Sequence, residues 1–136
     1  MKDTEMKTVR IGIASYEAQK RRLMAIARGE HVPGPDEPKI WFASIESVAQ
    51  VLSTRNQALL RLIREVEPES VTELAALSGR KQGNLTRTLK TLQRYGLVDV
   101  ETAGRARKPR AMADRFEVAF GAGELAAEED IRRSVS

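Results

Sequence analysis

Apolar and polar positions along the chain change their period several times, and each change marks an element. In "KTVRIGI" (7–13) they alternate, the two-residue period of a strand with one covered face. From Ser15 to about Arg28 good helix formers follow, with Ser15 as N-cap and Gly29 just past the end. Tyr16, Leu23, Ile26 and Ala27 give that helix a rough apolar stripe. "GEHVPGPDEP" (29–38) holds three prolines and two glycines, a linker through which no helix runs. "KIWFAS" (39–44) is then an apolar entry segment, in which Trp41 and Phe42 are expected to pack in a core.

Helical spacing returns with two short segments. Ser44 caps "IESVAQVL", and Ser53 or Thr54 caps "RNQALLRLIREV", whose Leu59, Leu60, Ile63 and Val66 form one buried face before Pro68 closes it. Ser70 and Glu73 have capping-box spacing, so a third helix starts near Val71 with Leu74, Ala75 and Leu77 inward. Gly79 permits a sharp turn, and a fourth helix runs over 82–95 to Gly96. "LVDVETA" (97–103) and "FEVAF" (116–120) read as strands flanking a loop tip, "GRARKPR" (104–110). The tail "ELAAEEDIRRS" (124–134) reads as a weak amphipathic helix.

On a wheel of about 100° per residue, Leu85, Leu89 and Leu92 of the 82–95 helix fall in one narrow stripe. Arg87 and Arg94 lie almost opposite, flanked by Gly83, Asn84, Lys90 and Thr91. The stretch 79–96 contains no carboxylate at all. Charge elsewhere is mixed. Nine cations in 79–110 face only Asp99 and Glu101, making that segment +7 and leaving −3 for the rest of a chain whose formal net charge is +4. A solvated helix face interleaves both signs to gain i,i+4 pairs. A single-sign face opposite a leucine stripe instead suits a helix laid in a DNA major groove. There Arg reads guanine and Asn or Gln reads adenine, while Lys neutralises phosphates. Helix, glycine turn and basic helix in that order make a helix-turn-helix. The cationic segment after it would act as a wing on the minor groove or backbone.

Composition narrows the alternatives. At 136 residues and 15.1 kDa the chain can fold as one domain. With no cysteine, disulfides, thiolate metal sites and cysteine nucleophiles are excluded. His31, the single histidine, sits in the Pro/Gly linker and is expected to be an exposed loop residue, outside any H-x-x-x-H or H-x-E motif. Glu128, Glu129 and Asp130 read as a solvated face, as does "QKRR" (19–22). No enzyme, metal or cofactor is therefore expected. Aromatics make up only 4% and do not interleave with the basic residues, which disfavours RNA. The start "MKDTEMKTVR" has no signal-peptide pattern and no run approaches a membrane span, so the expected location is cytoplasmic and nucleoid-associated, with no membrane partner.

"SVTELAALSGRKQGNLTRTLKTLQRYGLVDVETAGR" resembles the winged helix-turn-helix core of MarR-like regulators, through Leu74-Ala75, the turn, "NLTR" and "L…GLV" before a strand. From about Ile40 to Phe120 the chain is similar to a family of small MarR-like DNA-binding proteins of bacteria and archaea. It shares their "F-x-S-x-E" (Phe42–Glu46) and the Leu59-Leu60 pair after Arg55. The resemblance implies base reading by Gln82, Gly83, Asn84, Thr86 and Arg87 and phosphate contacts by Lys81, Lys90 and Arg94; Arg80 and Thr91 are further DNA-binding candidates at the recognition helix. Wing contacts would come from Arg105, Arg107, Lys108 and Arg110. Some members stand beside toxin-like genes, which implies an antitoxin-type autorepressor with a toxin-like protein partner as the alternative. The chain lacks the long flanking helices of larger MarR proteins.

The expected fold is mainly α with a small β-hairpin (α+β), a winged helix-turn-helix with an N-terminal strand-helix extension. The extension and linker would occupy 1–38, the DNA-binding domain 39–120, and a tail with a short helix 121–136. The expected partners are double-stranded DNA and a second copy of the chain. Segments 7–28 and 121–136 are the candidates for joining a homodimer, since two-fold proteins set recognition helices in successive major grooves about 34 Å apart.

Overall fold

Four serines stand one residue ahead of a helix, and each turns its hydroxyl onto that helix's first turn. Ser15 Oγ accepts from the Ala18 N–H (3.1 Å), Ser44 Oγ from Ser47 (3.1 Å), Ser53 Oγ from Asn56 (3.2 Å) and Ser70 Oγ from Glu73 (3.0 Å). Each such cap stabilises its helix by about 1 kcal/mol and fixes where it starts. The computed structural model describes residues 7–120. The helices are α1 (Tyr16–Ala27), α2 (Ile45–Val51), α3 (Thr54–Val66), α4 (Val71–Ser78) and α5 (Gln82–Arg94). The strands are β1 (Thr8–Ile13), β2 (Ile40–Phe42), β3 (Val98–Ala103), β4 (Ala106–Ala111) and β5 (Arg115–Ala119). The fold is α+β and contains a winged helix-turn-helix.

The described residues form two units, one of 7–8 with 49–115 and one of 9–48 with 116–120. In the first, Leu59, Leu60 and Ile63 of α3, Leu74 of α4, and Leu85, Leu89 and Leu92 of α5 are buried together with Leu97 and Val98. These are the leucine stripes read from the periodicity. Val66 and Leu77, expected inside, are instead 42% and 49% exposed, each standing in the last turn of its helix. Gly79 (φ 72°) ends α4 in the left-handed region, where a side chain would be strained.

The wing differs from its expected outline. β3 pairs antiparallel with β4, from Val98↔Ala111 to Ala103↔Ala106, so "GRARKPR" is mostly strand and only Gly104-Arg105 turn. Gly104 (φ 62°) takes the first loop position, the glycine-first form of a two-residue hairpin. Pro109 suggested a loop, yet it sits buried opposite Val100 on β4, whose other side pairs with no strand among the described residues and so calls for no N–H there. "FEVAF" belongs to another sheet.

That sheet, in the second unit, has the order β2-β1-β5. β2 is the segment read as an apolar entry. It runs parallel to β1, with Ile11↔Ile40 and Ile13↔Phe42 in register, and Ile11, Ile13 and Phe42 are buried. The Trp41 ring lies across Gly12, where an added Cβ would sit 2.5 Å from the ring. Arg22 of α1 stacks over the same ring at 5.0 Å, a cation–π contact. Glu37 in turn meets Arg22 (3.2 Å) and His31 Nε2 (2.7 Å). Arg22 and His31, expected to be solvated, are therefore partly buried parts of a network that fastens the linker to α1. The expected tail helix lies outside the described residues.

Candidate nucleic-acid interface

The geometry of α5 follows from its leucines. Leu85 and Leu92 are fully buried and Leu89 almost so, and this fixes the rotation of the helix about its axis. Gln82, Gly83, Asn84, Arg87, Lys90 and Arg94 are consequently exposed, and Thr86 and Thr91 stand at the margin. The two threonine hydroxyls donate back along the helix, to the carbonyls of Gln82 (2.9 Å) and Arg87 (3.2 Å). Arg87 Nη2 donates to Asn84 Oδ1 at 2.6 Å, so these two base-reading candidates hold one another in a shared outward posture. Lys81, Lys90 and Arg94 have no ion-pair partner among the described residues.

At the start of α5, the N-cap position falls to Lys81, whose side chain makes no capping bond, and no acid stands in the first turn. Arg80 is only half-exposed and points inward. Its guanidinium donates to Asn56 Oδ1 (3.2 Å) and to the Arg55 carbonyl (2.8 Å), while Asn56 Nδ2 donates to the Val51 carbonyl (2.9 Å). Desolvation, and then the neighbouring charge of Arg55, pull the Arg80 pKa below its ordinary value. Arg80 thereby ties the α4–α5 turn to the first turn of α3. Arg55, Gly79, Arg80, Lys81, Asn84, Arg87 and Thr88 line one cleft there. Sequence reasoning passed over Arg55 because it stands far from α5 in the chain; only the Arg80 bridge brings it near.

The wing cations divide into two kinds. Arg105 at the hairpin tip and Arg107 are exposed and have no ion pair among the described residues. Lys108 instead meets Glu69 (2.8 Å), and this hydrogen bond is the main reason Glu69 titrates below the usual carboxylate range. Arg110 donates to the carbonyls of Pro68 and Pro109, both at 3.0 Å. These two residues anchor β4 to the α3–α4 connection. The Ser70 cap lies beside them, and the Glu73 carboxylate reaches back one residue past the cap to accept from the Glu69 N–H (3.0 Å).

Among the described residues no helix is long and apolar enough to cross a membrane. No curated protein matches the chain. Among solved structures it is similar to one described as a "possible transcriptional regulatory protein (fragment 1-100)" from Mycobacterium bovis, at 20% identity and a TM-score of 0.40. That likeness covers 68% of this chain and 94% of the other. It is also similar to the M. tuberculosis transcriptional regulator MosR, at 21% identity and a TM-score of 0.38, over 88% of this chain and 76% of that one. The HVO_A0114 family model matches residues 51–118, from the end of α2 through both wing strands into β5. With half of its length matched, the protein belongs to the HVO_A0114 family.

Proposed function

We propose that the protein is a sequence-specific DNA-binding transcriptional regulator of MarR-like layout, acting as a repressor. The observation that carries this reading is the division of α5. Its three leucines are buried, while Gln82, Asn84, Arg87, Lys90 and Arg94 are exposed on a face without a carboxylate. In this reading α5 enters the major groove, with Asn84 and Arg87 on base edges and Lys81, Lys90 and Arg94 on phosphates. Arg105 and Arg107 reach the minor groove or the backbone. Lys108 and Arg110 hold the wing at its root.

Selection from random duplex DNA at physiological salt tests the reading, with Arg87→Ala run in parallel. The expected result is a two-fold-symmetric consensus from the wild type. In the variant, affinity for that site falls by about 1–3 kcal/mol and preference relaxes at one position. Arg107→Ala, by contrast, weakens all sequences alike and flattens the salt dependence by about one unit. Absence of any enrichment by the wild type would reject the reading.

A second reading, an antitoxin-type protein that masks a partner and binds DNA for autoregulation, draws on a different observation. α1 turns Tyr16 (78% exposed) and Leu23 (61%) outward, a stripe suited to another protein or to a second copy of this chain. A homodimer held through α1 serves the first reading equally well. Co-purification with a partner that is lost on deletion of 1–38, with duplex affinity kept, would favour the second.

A further inference from the structure

The cleft between the first turn of α3 and the start of α5 is lined by Arg55, Arg80, Lys81 and Arg87, with Asn84, Thr88 and Gly79 completing it and no carboxylate among them. Such a lining is unfavourable in the free protein. Like charges gather in a concave surface, and nearby Arg55 already contributes to the lowered pKa of Arg80. What relieves it is an oxyanion. Every polar side chain in the lining can donate: two outward-facing cations (Arg55, Lys81), the Asn84 amide, the Thr88 hydroxyl and the remaining N–H groups of Arg80 and Arg87.

We propose that this cleft seats one backbone phosphate of duplex DNA, with Arg55 as a direct ligand that extends the footprint from α5 to α3. The inference rests on the DNA-binding reading above and adds to it a contact outside the recognition helix and wing. Arg80 is a positioning residue. By bonding the Arg55 carbonyl and Asn56 Oδ1, it sets the distance between Arg55 and Lys81, so that both address the same anion. A phosphate fits this donor set better than a base edge does, because the donors converge from two helices and the turn. The one side-chain carbonyl in the lining, Asn84 Oδ1, is already taken by Arg87, which leaves the Asn84 amide N–H groups to donate.

The test uses the full chain and the duplex selected by it, with each phosphate in turn replaced by an uncharged methylphosphonate. For the wild type, neutralising one phosphate in both half-sites together weakens binding at least about tenfold and lowers the salt slope by about two units, one for each phosphate. Arg55→Gln reproduces that loss on unmodified DNA without changing the consensus, and it is indifferent to the same methylphosphonate. Arg80→Lys keeps the charge but not the two-pronged hold, and it reduces this coupling between Arg55 and that phosphate. A structural role alone would not move that readout. If the wild type binds its consensus while Arg55→Gln shows an unchanged slope and no coupling to any phosphate, the seat is wrong and the DNA-binding reading stands. If the wild type selects no duplex, both fall.

Discussion

Helices α1 and α5 are nearly the same length, 12 and 13 residues, yet they use their apolar side chains in opposite ways. α5 buries Leu85, Leu89 and Leu92 and leaves a polar face outward; α1 buries no residue and leaves Tyr16, Leu23 and Met24 exposed. What fastens α1 is largely polar: Arg22 on the Trp41 ring, Glu37 on Arg22, and Gln19 Nε2 donating to the Ala14 carbonyl at 2.9 Å. A helix held by leucines presents what is chemically polar. A helix held by polar contacts presents what is greasy. The first arrangement suits a charged, hydrated ligand such as a nucleic acid, and the second a protein surface.

The same substitution made in both helices breaks the comparison most directly. Leu89→Ala opens a cavity beneath α5 and is expected to destabilise by about 2–5 kcal/mol in urea unfolding. Leu23→Ala removes the same atoms from α1, where they are exposed, and is expected to change stability by no more than about 0.5 kcal/mol. Sedimentation of Leu23→Ala sharpens the contrast, since weaker self-association at unchanged monomer stability would identify the α1 stripe as the contact between copies. A cost of several kcal/mol at low protein concentration would instead mean that α1 is packed more like α5.

The smallest effect is expected from pH. The Arg22 hydrogen bond, with His31 assisting, holds the Glu37 carboxyl below the usual carboxylate range. A folded-state pKa below the unfolded one means that this stabilisation is complete above the unfolded value of about 4.3, and is lost as pH falls through the lower, folded value. Glu37→Gln should therefore flatten part of the acid limb of a thermal-unfolding profile and leave its neutral plateau almost level. Glu69 titrates low for the same kind of reason, through Lys108, so the remaining acid sensitivity should persist in that variant.

Local signals were legible in the sequence and pairings across the chain were not. The serine caps, the glycine turn and the α5 stripe depend on residues three or four apart, and periodicity carries them directly. β2 is three residues long, too short to show any period, and becomes a strand only because β1 lies beside it. Pro109 argued for a loop because its toleration depends on β4 pairing on one side alone among the described residues, which sequence does not display. For the candidate interface, the outward cations of α5 follow from the wheel. The engagement of Lys108 with Glu69, of Arg110 with Pro68 and of Arg80 with Asn56 links distant positions and emerges only with the fold.

The placement of β5 beside β1 also sets an order of events during synthesis. The Lys7 N–H donates to Asp114 Oδ1 at 2.7 Å across a separation of 107 residues, and the Lys7 carbonyl accepts from the Asp114 N–H at 3.1 Å. At 5–20 residues per second, β1 leaves the ribosome about 5–20 s before the strand that completes its sheet. The whole helix-turn-helix is made in that interval and can close on its own leucines, whereas β1 has only β2 to pair with until β5 emerges. A nascent chain stalled before Arg115 would thus carry a finished winged helix and an open strand edge, the kind of edge that chaperones and neighbouring nascent chains compete to cover.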